Sequence, residues 1–339
     1  MKRIVLVFAA LAALLPSCQH KDLCVDHREH AHKYHIEITA DYRCDWEENF
    51  GFHDWKNNWP EGYMAYDDLR PSRPSGLRVV NTSSQGQTNT HNIKAEGGIV
   101  NLYEGNNDIL FYNNDTEYII FSRTDHGAST RALTRTKTRS TYTRSEYSEE
   151  DEDTMTPPDM LFANYIEGVY AERTLEPAPL DITLQPLVYT YVVRYEFAEG
   201  LEYVALARGA LTGMAKSVLL STGETSDDGA TLLYDCAIEN YGISALVTSF
   251  GIPGFPNPYY PTKGPERKHA LNLELMLKNG KIFSLDYDVT EQVEKQPHGG
   301  VIVVKDITIK YEDGAQNNGA FDVKVDDWGE YEDVLLPLI

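Results

Sequence analysis

The strictest constraint in this chain is an alternation. Ile36, Ile38, Ala40, Tyr42, Cys44 and Trp46 fall on one parity, and Glu37, Thr39, Asp41, Arg43 and Asp45 on the other. Side chains of a strand point to opposite faces with period two. Eleven such residues therefore predict a half-buried antiparallel strand, apolar inward and polar outward. Shorter runs follow at Gly62–Tyr66, Leu77–Asn81, Gly98–Tyr103, Ile109–Tyr112 and Tyr118–Phe121, with turn chemistry at Glu104-Gly105-Asn106-Asn107 and Asn113-Asn114-Asp115. Beyond Pro177-Ala178-Pro179, the best linker, alternation returns in Val188–Phe197 through Tyr189, Tyr191, Val193, Tyr195 and Phe197. Leu232–Ile238, Ile243–Phe250, Leu271–Leu277, Lys281–Val289 and Val301–Tyr311 also read as strands, and Phe321–Trp328 trails them. Leu201–Leu220 is ambiguous, because Ala, Leu and Met favour helix while Gly209 and Gly213 oppose it. The expected fold is all-β: two β-sandwich domains in tandem, residues 18–177 and 178–339.

One turn can be read in detail. Leu271, Leu273, Leu275 and Leu277 share a parity, as do Phe283, Leu285, Tyr287 and Val289. A two-residue Asn-Gly turn would put the leucines on the face of Ser284, Asp286 and Asp288. A three-residue loop, Lys278-Asn279-Gly280, instead sets Leu275 opposite Phe283, Leu273 opposite Leu285 and Leu271 opposite Tyr287. Burying one apolar set selects the second register, with Gly280 in the left-handed conformation of a bulged turn.

Charge narrows the partners. The chain has 339 residues, 30 Lys+Arg against 52 Asp+Glu, and a formal net charge of −22. Nucleic-acid binding requires a cationic footprint, so nucleic acid is excluded as a partner, and charge-driven adsorption to anionic lipid is equally disfavoured. Four cysteines are too few for a disulfide scaffold.

Membrane attachment comes by another route. Met1-Lys2-Arg3 precedes an apolar run from Ile4 to Leu15, too short to span a bilayer, and Pro16-Ser17-Cys18 follows. This pattern predicts a lipoprotein signal peptide over residues 1–17, cut before Cys18, the lipidation site, so that acyl chains anchor the protein. Pro16 is atypical of such signals, and an ordinary secretory signal with an incidental cysteine is the competing reading.

Within the first domain, residues 123–156 read as a long charged loop. Arg123, Arg131, Arg135, Lys137, Arg139 and Arg144 precede the acidic run Glu146, Glu149, Glu150, Asp151, Glu152 and Asp153, with little apolar to bury. The composition predicts exposure, disorder and early tryptic cleavage.

No catalytic signature is present: no G-x-S-x-G, H-E-x-x-H, C-x-x-C, Walker loop or G-x-G-x-x-G occurs. The sequence points to no enzyme and no cofactor. His20, Cys24, His27, His30, His32 and His35 cluster within sixteen residues, and His27, His30 and His32 are the candidate metal ligands. The segment serves equally as a polar tether, since its spacing fits no closed zinc motif. A Cys24–Cys44 disulfide is open. Trp55 and Trp59 are the candidate ligand-binding aromatics.

Several strings carry a resemblance. Cys18-Gln19-His20-Lys21-Asp22-Leu23-Cys24, Asp26-His27, Asp45-Trp46, Gly97-Gly98-Ile99-Val100-Asn101-Leu102, Tyr112-Asn113-Asn114-Asp115-Thr116-Glu117, Thr156-Pro157-Pro158-Asp159-Met160-Leu161 and Phe321-Asp322-Val323 resemble those of surface lipoproteins of Bacteroidales. Such proteins are similar to the fimbrillin-type anchor and accessory subunits of type V pili. The resemblance implies transthyretin-like or immunoglobulin-like sandwiches, an outer-membrane lipid anchor and surface display. It also implies fimbrillin-like pilin subunits as partners, joined by β-strand addition. It supplies no active-site residues. Asp153-Thr154-Met155 is similar to an O-glycosylation motif of that phylum, making Thr154 a candidate. A glycan-binding surface lipoprotein beside a nutrient-uptake system is the alternative function.

Overall fold

The computed structural model describes residues 33–44, 69–122, 127–254, 267–314 and 331–334. In chain order its elements begin with β1 (His35–Tyr42), β2 (Gly76–Ser83), β3 (Thr88–Lys94), β4 (Gly97–Asn101) and β5 (Gly105–Asn113). Next come β6 (Ile119–Ser122), β7 (Arg131–Thr134), β8 (Thr136–Arg139), β9 (Asp153–Met155), β10 (Phe162–Ala171) and β11 (Ala178–Pro186). The chain continues through β12 (Tyr189–Glu199), β13 (Val204–Ala215), β14 (Ser217–Leu219), β15 (Gly229–Asp235), β16 (Ala237–Ile238) and β17 (Gly242–Ser249). It ends with β18 (Ala270–Leu277), β19 (Ile282–Asp288), α1 (Thr290–Glu294), β20 (Gly300–Thr308), α2 (Tyr311–Gly314) and β21 (Tyr331–Val334). The molecule is all-β in several sheets, as expected. The strands expected at Gly62–Tyr66 and Phe321–Trp328 lie outside the described residues.

The alternation that opens the sequence is the inner wall of a barrel. Ile36, Ile38, Ala40 and Tyr42 are buried, while Glu37, Thr39 and Asp41 face out. They pack against Leu77, Val79, Ile109, Phe111, Phe162 and Leu184. Seven strands close in the order β1-β11-β10-β5-β2-β3-β4, with β1 parallel to β11 and antiparallel to β4. This unit corrects the expectation of two sandwiches: β1 is paired on both sides, so the sheet closes and leaves no edge. Gly97 makes closure feasible. Its φ is +121°, and a Cβ there would overlap the carbonyl oxygen of Ile38, so only glycine lets β4 approach β1 so closely. The closing strand β11 starts at Ala178, so the chain leaves the barrel after Pro186 and not at residue 177.

The second unit is a pair of facing sheets. One runs β16-β17-β12-β20; the other runs β19-β18-β13-β15-β9-β8-β21. Tyr191, Val193 and Tyr195 of β12 meet Leu271, Leu273, Leu275 and Leu277 of β18, with Leu211, Leu232, Ile243, Val247 and Ile302 filling between them. The ambiguous stretch is strand β13, and its glycines explain why. A Cβ at Gly209 would overlap the Tyr234 ring, and Gly213, at φ +81°, sits where the pairing of β13 with β15 shifts register. The Lys278–Gly280 hairpin has the expected three-residue loop. Leu275 faces Phe283, Leu273 faces Leu285, Leu271 faces Tyr287, and Gly280 has φ +82°.

The charged stretch departs from expectation. It contributes β7, β8 and β9, and β9 lies parallel to β15 within the seven-stranded sheet. Between β8 and β9 it crosses the outer face of that sheet: Glu152 accepts from Gly213 N and Thr231 Oγ1, each at 2.8 Å, and Glu146 N reaches Asp286 Oδ2 at 3.4 Å. Arg144 donates to the carbonyls of Glu149, Glu150 and Glu152. Charge here builds structure because Arg144 and Glu152 have found partners. A third core joins the units. Leu110 and Tyr112 on the outside of the barrel meet Leu187, Val188, Val218, Leu220 and Phe250, beside the small sheet β14-β7-β6.

Candidate assembly surface

The open edges of the second unit concentrate its unusual chemistry. At one end of the seven-stranded sheet, β21 pairs antiparallel with β8, bringing Tyr331 opposite Arg139. Arg139 and Glu274 are both buried, with Nε and Oε2 3.3 Å apart. Tyr331 OH donates to Asp235 Oδ1 at 2.9 Å and accepts from Arg139 Nη1 at 3.3 Å. Lys137 Nζ lies 3.5 Å from the centre of the Tyr331 ring, and Arg208 lies 4.8 Å from it. Burial raises the Tyr331 phenol well above its usual range. One aromatic residue thus pins the C-terminal strand among three cations.

The edge of β20 is closed in a different way. Gln292 Nε2 donates to Val303 O at 3.0 Å, and Val303 N donates to Gln292 Oε1 at 2.9 Å. Four residues on, just past the end of α1, Gln296 makes the same two bonds to Val301, at 3.0 and 2.9 Å. The two carboxamides, one on α1 and one just past its end, thus meet alternate residues of the strand and act as a surrogate ladder. A Cβ on Gly300 would overlap the Gln296 carboxamide, so the glycine leaves room for it.

Among the described residues, the edge of β19 stays open. Leu277 N bonds to Lys281 O and Val289 N to His269 O. This phase turns the backbone groups of Ile282, Ser284 and Asp286 away from β18. Among the described residues, β18 is the one strand paired with β19. Phe283, Leu285 and Tyr287 point to the core but remain only partly buried.

The residues singled out in the sequence fall elsewhere. Cys18, Cys24, His27, His30, His32, Trp55 and Trp59 lie outside the described residues. Among the described residues, no group of three or more His, Cys, Asp and Glu is placed to hold a metal. Thr154 is a half-buried residue of β9, opposite Thr231, and not part of an exposed loop. Cys236 is partly buried, and desolvation pushes its thiol far up, which makes it a poor nucleophile. An open cleft of about 560 Å³ lies where Tyr118, Lys137, Asp159, Tyr234 and Tyr331 converge. Sequence reasoning missed Gln292 and Gln296, because a five-residue helix with one glutamine inside it and another just past its end has no strand signature of its own.

Comparison with known proteins fits this architecture. Residues 67–235 match a family model described as a domain of unknown function, DUF5119. A Bacteroides ovatus protein carrying the description of a fimbrium anchoring subunit, Fim4B, is 23% identical over 306 residues, covering 81% of this chain and 88% of that protein. The resemblance to the fimbrillin-type proteins holds. A crystal structure described as that of an adhesin from Bacteroides ovatus superposes with a TM-score of 0.57 at 18% identity, covering 88% of this chain and 98% of that one, and so shares its fold. The fimbrial anchor protein Mfa2 of Porphyromonas gingivalis superposes with a TM-score of 0.43 at 9% identity, covering 80% of this chain and 90% of the other.

Proposed function

We propose that this protein is a lipid-anchored surface subunit of a fimbria-like assembly, acting as anchor or accessory subunit and joined to a neighbour by β-strand addition. The observation that carries the reading is the similarity to the Fim4B fimbrium anchoring subunit along most of both chains. The edges of the second unit supply the means: an added strand gains main-chain hydrogen bonds for affinity and side-chain pockets for register. Cys18 carries the lipid. Each buried CH2 contributes about 0.8 kcal/mol, so two or more acyl chains hold a strongly acidic protein at the outer membrane without electrostatic help.

Two experiments test the proposal. Purified from detergent-solubilised membranes of its own organism, the protein brings down a fimbrillin-like subunit. Recovery of transporter and glycan-handling proteins alone, together with oligosaccharide binding by the pure protein, contradicts it and favours the uptake role. Cys18→Ala moves the protein out of the membrane fraction; a variant that still resists a high-salt wash removes the anchor from the account.

A further inference from the structure

Resting on the strand-addition reading, we infer that the acceptor edge is β19, and that its occupant is an extended segment of another subunit with apolar residues facing inward and Lys or Arg facing outward. The argument begins with the edges themselves. β20 is longer, but its outward groups at Val301 and Val303 already bond to Gln292 and Gln296. β16 has two residues, and β21 has four. β14 bridges back to Thr225, and the N–H groups of Glu117 and Tyr118 beside β6 are held by Asp159 Oδ2. β19 presents seven residues, and nothing among the described residues bonds the outward backbone groups of Ile282, Ser284 or Asp286.

Side chains define the occupant. Phe283, Leu285 and Tyr287 line the inner face at every second position and are incompletely covered. A strand laid beside them would finish that cover with alternate apolar residues of its own. The outer face is acidic. Asp286 has Asn272 Nδ2 at 2.8 Å and Glu146 N at 3.4 Å as its partners, while Asp288 is paired with Lys268 at 3.0 Å. The phenol of Tyr147 is raised by Glu146 first, with Asp288 and Asp286 adding to the effect, which reports the same negative field. Outward-facing cations on the incoming strand complement that field.

Ser284→Pro tests the assignment directly. Residue 284 turns its N–H outward, so proline removes a bond to an added strand and leaves the β18 ladder intact. With the full-length lipidated protein as bait, Ser284→Pro recovers at least about tenfold less fimbrillin-like subunit than the parent, the equivalent of one lost contact of ~1.4 kcal/mol. Asp286→Lys weakens capture in the same sense and flattens its salt dependence. If proline unfolds the protein, hydrogen exchange on the unaltered complex decides: the amides of Ile282, Ser284 and Asp286 gain protection on assembly, whereas those of Phe283 and Leu285 are protected beforehand. Undiminished capture by Ser284→Pro, unchanged exchange at these amides, or self-association of the pure protein through β19 overturns the assignment while leaving strand addition standing. No subunit captured by the parent protein overturns strand addition itself and the assignment with it.

Discussion

At the scale of single residues, buried charge decides more than its abundance suggests. Arg139 and Glu274 are both almost fully enclosed, and removing one leaves the other buried without its counter-charge. Arg139→Met is expected to cost about 3–5 kcal/mol in urea unfolding, and Arg139→Met with Glu274→Leu to recover most of it. Full additivity of the two single effects would contradict this. His269 makes a different contribution. Burial, assisted by Arg267, lowers its pKa to about 4 from 6.5. Because the folded value is depressed, the unfolded chain takes up the proton first as pH falls below 6.5. The contribution of His269 is complete above that pH and diminishes toward 4. Between pH 7.5 and 5 the protein should lose about 2 kcal/mol through this residue. His269→Gln should be that much less sensitive over the same interval, and an equal loss in both proteins would rule the histidine out.

At the scale of elements, what could be read from sequence was whatever is encoded locally. The inward face of β1 and the three-residue loop after Leu277 follow from period two alone, since a shift of one residue would bury Ser284, Asp286 and Asp288. Gly280→Val is expected to destabilise by about 1 kcal/mol or more, because a β-branched side chain fits φ > 0 poorly. A neutral effect in chemical denaturation would contradict the turn assignment. The order of the charged stretch is not legible locally because its partners are distant: Arg139 meets Glu274, and Glu152 meets Gly213 and Thr231. No window of local composition contains those pairings. The glutamine cap on β20 was equally invisible, yet it has a clear consequence. Gln292→Ala with Gln296→Ala uncovers a strand edge of nine residues, so the double variant should self-associate where the parent does not. Light scattering at matched concentrations would show it, and an unchanged monomer would argue that the glutamines guard nothing.

At the scale of the whole molecule, the two units are interleaved and do not sit as separate beads. The barrel needs β11, which follows the expected linker, and the seven-stranded sheet takes β8 and β9 from the half of the chain that builds the barrel. Barrel closure depends on a parallel pairing between β1 and β11, strands remote in sequence. Periodicity predicts that both are strands and says nothing of their meeting. A fragment of residues 187–339 should therefore fail to fold, since it lacks the strand between β15 and β8; a native-like spectrum from that fragment would contradict the interleaving. The assembly claim is tested most directly by electron cryomicroscopy of the complex purified from its own organism. The account predicts a strand from a neighbouring subunit running alongside β19, continuing the seven-stranded sheet by main-chain pairing. A neighbour held through side-chain contacts alone, with every sheet edge of this protein left bare, would contradict it.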